Sequence, residues 1–108
     1  MNFPTEIFGD VIVAHAPDEL HEDAAVRFQR FLTTLDRPRV IVDLDSVESI
    51  DSAALTTLLD AQTELRAADG DLKVISSNHV NRKILEITRL DEQLEVFDSV
   101  IDAVKSFA

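Results

Sequence analysis

Apolar residues recur along this chain with two different periods, and the switches between them divide it into elements. Phe3 to Phe8 and Val11 to Ala16 form short runs on either side of Gly9-Asp10. Such runs around a two-residue Gly-X connection predict an antiparallel hairpin with a type II′ turn, because glycine accepts the positive φ of the first turn position. Pro17 stops the second strand. From Glu22 the period lengthens: Ala25, Phe28, Phe31, Leu32 and Leu35 fall at helical spacing, while Arg27, Arg30 and Asp36 lie off that stripe. His21-Glu22-Asp23 puts negative charge in the first turn of this helix, where the helix dipole favours it, and the helix ends before Pro38.

Val40-Ile41-Val42-Asp43-Leu44 is a compact β-branched run and predicts a strand buried on both faces. Asp45 to Ile50 reads as a connection. A second helix follows with Leu55, Leu58, Leu59, Gln62 and Leu65 along it. Asp69-Gly70 ends that helix, with Gly70 expected in the left-handed conformation. Leu72 to Ser76 predicts a strand, and His79 to Ile87 a third helix with Val80, Ile84 and Ile87 on one side. Leu94 to Phe97 is a short strand. Ser99 to Phe107 is a closing helix, capped by Asp98 or Ser99, with Val100, Ile101, Val104 and Phe107 facing inward. The order is β-β-α-β-α-β-α-β-α. It predicts one α/β domain over residues 1–108: a mixed, mainly parallel sheet of about five strands with an N-terminal antiparallel hairpin, covered by about four helices.

Composition narrows what such a domain can do. At 108 residues, 45% hydrophobic and 29% charged, the chain can bury an ordinary core without staples. Its net charge of −11 argues against binding nucleic acid or anionic membrane, both of which require Lys and Arg. There is no cysteine, so disulfides, thiolate metal sites and Cys nucleophiles are excluded. No basic N-terminal segment precedes an apolar run, and no stretch approaches membrane-spanning length. The expectation is a cytoplasmic protein without membrane insertion.

The chemistry concentrates between Val40 and Leu59, where a strand and a short connection lead into Ile50-Asp51-Ser52-Ala53-Ala54-Leu55. Asp51 and Ser52 fall at a helix start, whose first N–H groups lack internal partners. Local pattern alone favours simple capping, since Asp and Ser are the preferred N-cap residues, worth about 0.5–2 kcal/mol over Ala. A phosphate on Ser52 would instead sit in a place suited to anions, adding about −1.5 to −2 charge and three acceptor oxygens.

Ile41-Val42-Asp43-Leu44, a short gap and then Ile50-Asp51-Ser52-Ala53-Ala54-Leu55 resembles the signature of the STAS family, which includes bacterial anti-sigma factor antagonists and cytosolic domains of sulfate transporters. The order of elements agrees over nearly the whole chain. The resemblance implies that Ser52, directly after the motif aspartate Asp51, is the phosphoacceptor of a partner switch. The unphosphorylated protein would bind an anti-sigma factor that is also a serine kinase and so release the sigma factor. Phosphorylation would break that complex, and a separate serine phosphatase would reset it. The chain is then a substrate and not an enzyme, with no cofactor of its own. The partner-binding residues implied are Asp51, Ser52, Ala53 and Ala54, with Asp18 in the turn Pro17-Asp18-Glu19-Leu20, where the family has a Gly-Glu-Leu-Asp-like turn. Ala54 stands where the family has Gly, so a Cβ there is expected to crowd a partner backbone. Arg82 and Lys83, in the only local basic patch, either form a solvated helix face or flank the Ser52 corner.

Other constellations carry less. Adjacent residues of His21-Glu22-Asp23 do not share a helix face, so no metal site is expected there. No nucleophile elbow surrounds Ser52, and with only Gly9 and Gly70 there is no phosphate-cradling loop. The alternative reading is a constitutive STAS adaptor of a transport ATPase or signalling scaffold, with Ser52 only a helix cap.

Overall fold

The computed structural model describes residues 3–21 and 23–108, so the helix start expected at Glu22 lies outside the described residues. Strands β1 (Thr5–Phe8) and β2 (Val11–His15) pair antiparallel, with Phe8 opposite Val11. Of the two turn residues only Gly9 has a positive φ, +64°, as a type II′ turn requires. A two-residue strand β3 (Glu19–Leu20) and helix α1 (Asp23–Thr33) lead to β4 (Arg39–Asp43), which lies parallel beside β2. Next come β5 (Ser49–Ile50), α2 (Ser52–Ala67) and β6 (Asp71–Ile75), the last parallel beside β4. Helix α3 (His79–Ile87), a single 3₁₀ turn at Leu90–Glu92, β7 (Val96–Phe97) and α4 (Val100–Lys105) complete the chain. The main sheet runs β1-β2-β4-β6-β7, the mixed five-stranded sheet expected.

Each crossover from β2 onward steps in the same direction across the sheet. Right-handed crossovers that always step one way place their helices on one face. Accordingly Ile12, Ala14, Val40, Val42, Leu72 and Val74 pack with Phe28 and Leu32 of α1, Leu58 and Ala61 of α2 and Leu85 of α3. The opposite face, Val11, Val13, Ile41 and Ile75, is covered by Ala103 of α4 with Val100, Val104 and Phe107. Lys73 projects into this second layer and is only 6% exposed. Its ammonium donates to Ser106 Oγ at 2.8 Å and to the Ser106 carbonyl at 3.2 Å, and stands 4.2 Å from the Phe107 ring centre.

Several features differ from the sequence reading. β3 and β5 form a second, parallel two-stranded sheet, Glu19 opposite Ser49 and Leu20 opposite Ile50. Two residues are too few to show a period, so the pairing had no hydrophobic signal. After α2 it is Asp69, at φ +64°, that takes the left-handed conformation. Gly70 is needed for closeness: a Cβ there would lie 2.0 Å from the Pro38 carbonyl oxygen, which accepts the Asp71 N–H at 3.1 Å. α3 is rotated from its expected orientation. Asn81 and Leu85 face inward and Ile84 packs against the core as expected, while Val80 and Ile87 are 65% and 71% exposed. In α4 Ile101 points outward, because the short helix seats on Ala103 with Val100 and Val104 to either side. No helix among the described residues is long and apolar enough to cross a membrane.

Candidate functional site

The carboxyl ends of β2 and β4 turn upward into the small β3–β5 sheet, and α2 starts from it. The Asp18 carbonyl accepts the Glu48 and Ser49 N–H groups at 2.7 and 3.2 Å, fixing the two connections side by side. The sheet thus brings Asp18, expected at the partner surface, against the segment that leads into Ser52. Asp18, Glu19, Glu48 and Ser49 are all exposed on this corner.

At the start of α2 the labour is divided between two residues. Asp51 is the N-cap: its backbone is extended and its Oδ1 accepts the Ala54 N–H at 2.8 Å. Ser52 is the first helical residue, exposed, and among the described residues its hydroxyl has no hydrogen-bond partner. The expectation that Ser52 only caps the helix is therefore overturned, because Asp51 already holds the cap. The N–H groups of Ser52 and Ala53 likewise lack an acceptor among the described residues, as first-turn amides do. Ala53 is exposed beside Ser52. Ala54 departs from its expected role: it is fully buried, packed among the core residues under α2, so its Cβ cannot meet a partner.

Arg82 also departs from expectation. Its guanidinium bonds the Asp98 carboxylate and the Ser76 carbonyl, at 3.1 Å for the latter, on the β6–β7 side of the sheet. A charge already paired there is not the free cation beside Ser52 that the sequence allowed. A depression of about 400 Å³ is lined by Asp45, Ser46, Val47, Glu48, Asn78, Val80 and Asn81. Asn81 builds its wall: only 5% exposed, it donates from Nδ2 to the Leu44 and Val47 carbonyls, both at 3.0 Å. Those bonds shape the connection between β4 and β5.

A hydrogen-bonded series that sequence reading missed crosses the same rim. His15 Nε2 meets Glu6 Oε1 at 2.7 Å, and Nδ1 meets Asp43 Oδ2 at 2.8 Å. Asp43 Oδ1 accepts the Asp45 N–H, and the Asp45 carboxylate accepts both the N–H and the hydroxyl of Ser77. These residues are far apart in sequence and isolated among apolar strands, so only the strand register reveals them. Among the described residues, no group of three His, Asp or Glu is arranged to hold a metal ion.

A parallel-centred sheet with three helices on one face and a serine-bearing helix start at its carboxyl rim defines a mixed domain of the α/β class. The STAS domain model matches residues 2–103, and the chain belongs to the STAS domain family. A Thermotoga neapolitana protein named as an anti-sigma factor antagonist is 25% identical over 107 residues, covering 95% of each chain. The crystal structure of its Thermotoga maritima counterpart, also named as an anti-sigma factor antagonist, is 25% identical, with a TM-score of 0.85 over 96% of this chain and 92% of that one. The phosphorylated form of the Bacillus cell fate determinant SpoIIAA shares the fold, with a TM-score of 0.72 at 17% identity, over 99% of this chain and all of that one.

Proposed function

We propose that this chain is an anti-sigma factor antagonist switched by phosphorylation of Ser52. The observation that carries the reading is the free, exposed Ser52 hydroxyl on a helix whose cap is supplied by Asp51. A kinase can take such a hydroxyl without breaking a bond of the fold. Support also comes from relatives named as antagonists and from a structural neighbour that exists in a phosphorylated form.

In this reading the unphosphorylated corner of Ser52, Asp51, Ala53 and Asp18 binds an anti-sigma factor that is also a serine kinase. The Ser52 oxygen attacks the γ-phosphorus of the kinase's ATP, ADP leaves, and the hydroxyl proton passes to a base of the kinase. The phosphate adds about −1.5 to −2 charge to a corner that already carries the Asp18, Glu19, Glu48 and Asp51 carboxylates, and the partner is released. A serine phosphatase hydrolyses the phosphoserine and restores binding. The ATP chemistry belongs to the partner, and the chain acts in the cytoplasm as a regulatory substrate.

The test compares tagged wild type, Ser52→Ala and Ser52→Asp as baits in lysate from the source cells, with bound proteins identified by mass spectrometry. Wild type and Ser52→Ala should recover an ATP-binding serine kinase that Ser52→Asp loses. Equal recovery of one transporter or scaffold protein by all three would replace the switch with the constitutive adaptor.

A further inference from the structure

Among the described residues the outer edge of β1 is unpaired, and we propose that it pairs with the same edge of a second copy, forming a weak two-fold dimer with a continuous sheet. All four β1 residues are exposed, Ile7 at 57% and Phe8 at 39%. Phe8 and Val11 close the two-residue turn, and the Pro4 carbonyl accepts the His15 N–H at 2.9 Å. Antiparallel bonding alternates along a strand, so Glu6 and Phe8 spend their backbone groups on β2. The N–H and C=O of Thr5 and Ile7 therefore point to the open edge.

The strand has no Lys, no internal Pro and no bulge in its register with β2, and Glu6 is its one charged residue. The opposite edge, β7, is only two residues long and cannot offer a matching ladder. A β1-to-β7 chain of copies is thus disfavoured, and β1 against β1 closes as an isologous pair.

Register follows from side-chain parity and charge. Copies related by a two-fold perpendicular to the sheet must oppose residues that share a face. Centring on Glu6 would set two carboxylates against each other. Centring on Ile7 lets the two Ile7 residues exchange both backbone bonds, sets Glu6 against Phe8 of the second copy, and sets Thr5 against Gly9, which has no side chain to obstruct it. The surroundings also suit an approach between copies of a chain with net charge −11. Asp10 is paired with Arg39 and Asp36 with Arg37, so two of the carboxylates beside this edge are neutralised where the rest of the surface repels its like. Arg37, whose Nε reaches the Gly9 carbonyl at 3.3 Å, is brought toward the Glu6 end of the other copy. So short a ladder buries less than the roughly 1,200 Å² of a stable interface, and the dimer forms only at high concentration.

The experiment is sedimentation velocity on the purified chain from low to high micromolar concentration, at low and high salt, with amide NMR shifts followed on dilution. The mass should rise from 12.0 kDa toward twice that, more readily at high salt, with dilution shifts confined to Thr5–Gly9. Ile7→Lys sets two ammoniums on the two-fold axis, and Ile7→Pro removes an N–H that β2 does not use. Both should remain monomeric with wild-type circular dichroism. A monomer under every condition, or a dimer that persists in both folded variants, overturns the proposal. Ser52 variants should dimerise like wild type, so this result stands apart from the switch.

Discussion

Asn81 ties down the connection that leads toward Ser52, and its replacement gives a sharp test. Its Nδ2 donates to the Leu44 and Val47 carbonyls inside the protein. The Leu44 carbonyl also accepts the Val47 N–H at 3.0 Å and keeps a partner when Asn81 is removed. The Val47 carbonyl has no other donor among the described residues and is left orphaned. A lost hydrogen bond costs about 1 kcal/mol net, and an orphaned buried acceptor about 1–3 kcal/mol, so Asn81→Ala should destabilise by about 2–4 kcal/mol. For a domain of this size that lowers Tm by about 9–18 °C. Asn81→Asp is the informative companion. It preserves the shape but presents two acceptor oxygens to two carbonyls, so it should be the worse of the pair. Urea unfolding followed by circular dichroism gives the order, and hydrogen exchange in segment 45–51 shows whether the loss starts there. If Asn81→Asp proved milder than Asn81→Ala, the side chain would be filling space, and its donor role would be wrong.

Four further outcomes are expected. Asp51→Ala should lose about 0.5–2 kcal/mol through the lost cap, whereas Ser52→Ala should stay within about 0.5 kcal/mol of wild type; denaturant midpoints distinguish them. Gly70→Ala should lose at least about 1–3 kcal/mol, because its Cβ cannot coexist with the Pro38 carbonyl; Tm measures this. Asp69→Gly should be neutral or stabilise by up to about 1 kcal/mol in the same assay, since it relieves a left-handed non-glycine residue. Lys73→Ala removes a stem that fills the second layer and an ammonium bonded to Ser106, so amide protection in α4 should fall before that of the main sheet.

The layered fold was legible because its strands and helices are long enough to show their periods. Val40-Ile41-Val42 announces a doubly buried strand, and Gly9-Asp10 announces its turn. What escaped reading was set by neighbours distant in sequence. The orientation of α3 looked settled by Val80, Ile84 and Ile87, yet a buried Asn81 bonded to two carbonyls outweighs two exposed apolar side chains. Gly70 was read as a helix stop because a Gly after a helix commonly is one, whereas the close approach of Pro38 has no local trace. At the site, Asp51 and Ser52 were both visible as cap candidates, and the folded backbone gives the bond to Asp51. Arg82 looked free because its partner, Asp98, follows sixteen residues later on another element.

That assignment bears on how a switch at this corner would transmit its signal. If Ser52 held the cap, phosphorylation would remove a fold-stabilising bond, and release of a partner could follow from fraying of α2. With Asp51 holding the cap, a phosphate on Ser52 meets two opposed influences within the fold. The unpaired first-turn amides and the helix dipole favour it by about 0.3–1 kcal/mol, while the neighbouring Asp51 carboxylate opposes it across partly screened solvent. Neither breaks a hydrogen bond of the fold, so the domain has little reason to move. A partner seated on the corner gains no such compensation: it must desolvate a dianion next to a row of carboxylates. The physics of the site therefore favours a switch read directly at the surface as charge, on a fold that stays the same in both states.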